Sequence, residues 1–222
     1  MVDEFVKSDI SGRSAAVQTG AAVALVAGAL GAMWGLGVFD HHTPGPGRPA
    51  ACAAPKAGDS PEYPALCAAL NRPDLPTLLG RPEDYVSVAQ SGGGAITLAD
   101  GTKEYDASAE VQVGTFNVRV TDNRHLSVRD TTALAGSSVS ATTVLGHPCL
   151  TYSDRTIAFS LNSEQPSTGP GGIARHLVVA KGPKAGGGSF EITVWRQDGS
   201  TPDDQALFLI ADKVLPTLAG WS

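Results

Sequence analysis

The chain has 222 residues and a formal net charge of −6, with 16 Lys and Arg against 22 Asp and Glu. A chain without a basic stripe lacks the clustered cations that hold a phosphate backbone, so nucleic acid is excluded as a partner. At 42% hydrophobic residues, with 26 glycines and 15 prolines, it can bury a core but spends much of its length on turns and linkers.

Residues 1–13 have mixed charge and no period, and are expected to form a cytoplasmic tail. Residues 14–39, SAAVQTGAAVALVAGALGAMWGLGVF, carry no charged side chain. That exceeds the ~20 residues a helix needs to cross a bilayer, and the run is too long for the core of a cleaved signal peptide. The reading is a single N-terminal transmembrane helix, with Trp34 and Phe39 as interfacial anchors. Lys7 and Arg13 precede it closely, which leans the amino terminus inward and the remaining chain outward. Gly20, Ala24, Gly28 and Ala32 recur every four residues, a small-residue ridge on which two such helices could pack. The abundance of Ala and Gly offers a second account of the same spacing.

Residues 40–61, DHHTPGPGRPAACAAPKAGDSP, read as a Pro/Gly-rich linker. His41, His42 and Cys52 do not make a metal site there, because a structural site needs four ligands on an ordered scaffold. Residues 62–222 form the expected extracytoplasmic domain, with 12 Lys and Arg against 17 Asp and Glu, a net of −5.

That domain is expected to be α+β, an antiparallel β-sheet with short N-terminal helices and a C-terminal amphipathic helix packed on the sheet. The helices are read at Tyr63–Leu70 and Pro73–Leu79. Strands follow at 85–90, 95–98, 108–113, 115–121, 142–145, 149–152, 156–161, 174–180 and 190–197, separated by Gly, Pro, Asn and Asp. Asp100-Gly101 signals a hairpin. The apolar alternation slips by one around Gly114-Thr115, which requires a β-bulge or a tight turn, and the bulge is favoured. In the last strand Phe190, Ile192 and Val194 face the core, leaving Trp195 opposite as a candidate contact residue. Cover beneath a neighbouring helix or loop is the plainer account of that tryptophan. The final helix is expected to be capped by Thr201, with Pro202 in its first turn and Leu207, Ile210, Val214 and Leu218 as its apolar stripe. Pro216 should kink or end it, and Trp221 should pack back onto the domain.

Of the three cysteines, Cys67 and Cys149 are the candidate disulfide, stapling the first helix to the sheet, with Cys52 left over. A pair of buried free thiols is the alternative. His125, His147 and His176 are scattered, and neither H-E-x-x-H nor G-x-S-x-G accompanies them. The glycine loops at 169–172 and 186–188 lack the Lys-Ser/Thr of a phosphate loop. No catalytic, cofactor or metal residue is therefore assigned, and no cofactor is expected.

The run YPALCAALNRPDLP at 63–76, the VLGHP turn at 144–148, the Trp195-Arg196 strand end with Asp198-Gly199, and the helix from Pro202-Asp203-Asp204 to Gly220-Trp221 together carry a likeness. Over nearly all of residues 62–222 the chain resembles an uncharacterised membrane-anchored domain family of Streptomyces and related actinobacteria. The resemblance implies a Gram-positive envelope setting with the domain facing the wall; it brings no activity and no functional residue. The expected function is a non-catalytic, membrane-anchored envelope module that binds a partner protein or wall component, with a homodimer also possible. The alternative is an extracytoplasmic domain that senses a small ligand in an apolar pocket. An enzyme assembled from residues on different strands is the third reading.

Overall fold

In the computed structural model, residues 48–93, 95–97, 101–105, 107–135, 139–161 and 166–222 are described. The stretch 14–39 and its ridge Gly20, Ala24, Gly28 and Ala32 lie outside them. Among the described residues no helix is long and apolar enough to cross a membrane.

The chain enters along the edge of a sheet. Ala50 and Ala53 donate their N–H groups to the carbonyls of Val86 and Ala89, at 2.7 and 2.9 Å. The Asn71 amide donates to Ala50 O at 2.9 Å, and the Tyr63 hydroxyl to Ala53 O at 2.9 Å. The second half of the expected linker is thus a strap bound to the folded unit.

Helix α1, Tyr63–Leu70, has Pro64 in its first turn, where a missing N–H leaves no bond unmade. Its buried residues Tyr63, Leu66, Cys67 and Leu70 fall at helical spacing on one side. Helix α2, Leu75–Leu78, is shorter than expected because Pro73 lies ahead of it and Asp74 is its first flanking residue. Then follow β1 (Val86–Ser91), β2 (Ala95–Thr97), β3 (Lys103–Tyr105), β4 (Ser108–Val113) and β5 (Phe116–Asn123). Helix α3 (Val128–Ala135), β6 (Ser140–Val144), β7 (His147–Leu161), β8 (Pro166–Ala180), β9 (Ser189–Arg196) and helix α4 (Asp204–Val214) complete the order.

Seven strands form one sheet in the order β1-β4-β5-β9-β8-β7-β6, every neighbouring pair antiparallel. Strands β2 and β3 pair separately as the hairpin that Asp100-Gly101 signals. Register aligns the core face across the sheet: Val111 with Val118, Val118 with Val194, Ile192 with Leu177, and Val179 with Cys149. Helices α1 and α4 pack on this face, where Leu207, Ile210 and Val214 are fully buried.

Four sequence expectations are corrected. The disulfide joins Cys52 to Cys67, and Cys149 is a buried free thiol. Helix α1 packs on β4, β1 and β5, whereas Cys149 lies on β7, four strand positions from β4. At ~4.8 Å per strand that is ~19 Å, beyond the ~7 Å Cα reach of a disulfide. The strap, by contrast, carries Cys52 to the edge beside α1.

Gly114-Thr115 is the two-residue turn of the β4–β5 hairpin, with Val113 opposite Phe116, and not a bulge. The apolar slip marks the chain reversal. Gly114 has φ +54 with no positive φ at Thr115, the pattern of a II′ turn. A bulge falls instead where β7 meets β8, with Thr156 opposite both Gly171 and Gly172 of β8, and β7 runs on past it, so the two expected strands 149–152 and 156–161 are one. The cap of α4 is Asp203, whose carboxylate accepts the Gln205 N–H at 3.0 Å. Thr201 and Pro202 precede it. The helix ends at Val214 and tightens into a 3₁₀ turn over Leu215–Thr217, as Pro216 requires.

Candidate functional site

The face of the sheet opposite α1 and α4 is unlike the core face. On β9 it is lined by Glu191, Thr193 and Trp195, alternating with the buried Ile192 and Val194. Register places Thr193 beside His176 on β8, and His176 beside Tyr152 on β7. Two patches result, meeting at Thr193.

The first patch is a closed polar cluster. His176 Nδ1 lies 2.7 Å from Glu191 Oε1, and Nε2 lies 2.9 Å from Asp154 Oδ1. The Tyr152 hydroxyl donates to Glu191 Oε1 at 2.8 Å, and the Asn123 amide donates to Glu191 Oε2 at 3.2 Å. The Tyr152 and His176 rings stack at 4.3 Å and 11°. The side chains of His176 and Glu191 are 11% and 17% exposed, while Asp154 is 58% exposed, so the cluster meets water at Asp154.

Burial alone would lower the His176 pKa, but its bonds to Glu191 and Asp154 outweigh that and raise it above the ordinary imidazole value. Burial pushes Glu191 up, and the bonds from His176, Tyr152 and Asn123 overcome it and hold the carboxyl below the ordinary range. Tyr152 is driven far upward by burial and by the Glu191 charge, so its hydroxyl remains a donor. An imidazolium bonded at both nitrogens cannot take a proton from a substrate. The arrangement holds one imidazolium between two acidic side chains, a clamp joining β7, β8 and β9.

The second patch surrounds Trp195. Trp195 is partly exposed and sits opposite Asn117 of β5. The Arg119 guanidinium lies 5.7 Å from its ring centroid and pairs with Glu110 on β4 at 2.8 Å. Asn117 is 5% exposed, and its Nδ2 has no hydrogen-bond partner. Since buried amide donors are ordinarily satisfied, this one stands out beside a tryptophan and an arginine. Helix α3 packs on β7 and β8, away from Trp195, and covers Leu150, Val178 and Ala180 with Val128.

The other residues singled out from sequence have separate places. Cys149 is 2% exposed, and burial pushes its thiol up to about 11, so it is no nucleophile near neutral pH. His147 stacks on Trp221 at 3.9 Å and bonds Ala180 O through Nδ1 at 2.9 Å, which anchors the carboxyl terminus as Trp221 was expected to do. His125 is exposed in the connection before α3. Helix α3 itself was missed, although Ser127 and Asp130 form a capping box, each side chain accepting the other's N–H at 3.1 Å. The His176 cluster had no sequence signal at all. Its members lie on four strands, Asn123 on β5, Tyr152 and Asp154 on β7, His176 on β8 and Glu191 on β9, and only strand order brings them together.

No curated protein and no solved structure matches the chain. One family model does, over residues 11–138, from the charge-free stretch to the end of α3 and stopping before β6. The chain belongs to that family, a Family of unknown function (DUF6215).

Proposed function

We propose that this protein is a non-catalytic, membrane-anchored module of an actinobacterial cell envelope that binds a partner protein or wall component through the Trp195 face. The observation that carries the binding reading is the partly exposed Trp195 with the Arg119 guanidinium 5.7 Å from its ring centroid, on the face opposite α1 and α4 and away from α3. The engagement of both His176 nitrogens supports a non-catalytic role for the strongest titratable group on that face.

The setting rests on the charge-free run 14–39 and on the Cys52–Cys67 bond, which persists in oxidising compartments. Because the strap is docked from Ala50 onward, only residues 40–47 separate the span from the described chain.

The test is crosslinking of the full-length protein in its native membranes, with three forms compared: wild type, Trp195→Ala, and a form whose 15–38 segment is replaced by an unrelated span. A partner that survives the span replacement and is lost in Trp195→Ala supports the proposal. A partner retained by Trp195→Ala and lost with the replaced span would move the interface to the Gly20, Ala24, Gly28 and Ala32 ridge.

A further inference from the structure

The two edges of the sheet are finished differently. At β1 the strap covers the outer backbone groups through Ala50 and Ala53. At β6 the sole neighbour among the described residues is β7. Ser140, Ala141, Thr142 and Thr143 are all exposed, and only Val144 is buried. Natural edge strands are normally protected by a charge, a proline, a bulge or a covering segment. Strand β6, SATTV, has no charge, no proline and no break in register.

The direction of its free groups follows from the hairpin. Val144 and His147 flank the two-residue turn Leu145-Gly146 and exchange both N–H···O bonds, so Thr142 and Ser140 also point their backbone groups at β7. Pro148, which has no N–H, stands opposite Thr143, as this phasing requires. Ala141 and Thr143 therefore direct their N–H and C=O groups outward.

We infer that β6 pairs antiparallel with β6 of a second copy of this chain, joining two sheets about a two-fold axis at Thr142. In that register Ala141 of each copy faces Thr143 of the other, giving four backbone hydrogen bonds. Thr142 meets its own counterpart, a favourable cross-strand pair. A two-fold contact sets a strand against itself, so any charge would meet its like; β6 carries none. Three of the exposed large apolar residues lie on elements next to this edge: Leu134 in the last turn of α3, Leu145 in the β6–β7 turn, and Leu209 on α4, which packs against β6.

The test uses the full-length chain in detergent micelles. In a Cys149→Ala background, which removes the thiol opposite Thr142 on β7, Thr142→Cys should form a covalent dimer on mild oxidation, since a non-hydrogen-bonded antiparallel pair has disulfide geometry. Gln90→Cys, on the strapped edge, should not. Independently, the double change Ala141→Lys and Thr143→Lys should weaken dimerisation at least tenfold in a sedimentation dilution series, with the melting temperature unchanged. Both positions are exposed, so folding is preserved. A monomeric wild type, equal crosslinking from both edges, or an unchanged dissociation constant in the lysine variant would each overturn the inference. None of these outcomes depends on whether Trp195 binds a partner.

Discussion

The two faces of the sheet use the same strands and obtain their order by different means. On the core face Val111, Val118, Val194 and Leu177 are fully buried in a continuous apolar layer under α1 and α4. On the other face Tyr152, His176, Glu191 and Asp154 hold β7, β8 and β9 together by directed hydrogen bonds, the neutral Tyr152 hydroxyl donating to Glu191 and His176 pairing with both carboxyl side chains. The apolar layer depends on area and tolerates small displacements. The clamp depends on protonation and on distances near 2.8 Å, so solution conditions reach it and leave the layer untouched.

The core face should show the largest effect when broken. Ile192→Ala removes a fully buried side chain at the centre of the sheet, and is expected to cost about 2–5 kcal/mol in urea unfolding. Loss of the Cys52–Cys67 bond comes next. Cys52→Ser opens a loop of sequence separation 15, worth about 3 kcal/mol, and frees the strap. Amide exchange at Ala50 and Ala53 should then rise sharply while that at Val118 and Val194 rises only with global stability.

On the polar face, Glu191→Gln leaves His176 charged with Asp154 as its remaining carboxylate, and should cost about 2 kcal/mol. Its pH dependence sharpens the comparison further. The His176 contribution is complete below its unfolded value near 6.5 and declines as pH rises through its raised folded value. The Glu191 contribution is complete above about 4.5 and declines as pH falls through its lowered folded value. Both are present in full between those two reference values, so stability should peak there and fall on the alkaline side. His176→Gln should abolish the alkaline decline, whereas Ile192→Ala should shift the whole profile without changing its shape.

The smallest effect is a gain. Leu145 holds φ +52 at the first position of its turn, where the clash of its Cβ with the backbone costs about 1 kcal/mol. Leu145→Asn should raise the melting temperature by a few degrees, since Asn-Gly is the preferred pair for a turn with two positive φ values.

Much of the architecture was legible along the chain. Helix α1 was read with its observed bounds, and β4 with both its ends, because period and punctuation are local signals. The stripe Leu207, Ile210, Val214 and Leu218 is buried as read. Trp195 lies on the side of β9 opposite Ile192 and Val194, as the alternation placed it, and the structure adds what surrounds it, namely Asn117, Arg119 and Glu110. Two near misses had usable signals. Ser127 and Asp130 are a capping box three residues apart, and Gly114-Thr115 fits a hairpin turn as well as a bulge.

What sequence alone determined here is whatever depends on neighbours within a few positions: the charge-free run 14–39, the helix stripes, the strand alternation and the turns at glycine. Which cysteine meets Cys67, how β7 lies between β6 and β8, and that Tyr152, His176 and Glu191 converge were decided by tertiary structure alone. The reason is physical. An apolar residue needs only some buried face and announces it by periodicity. A disulfide or an ion pair needs one particular partner within a few ångströms, and only strand order and register bring that partner near.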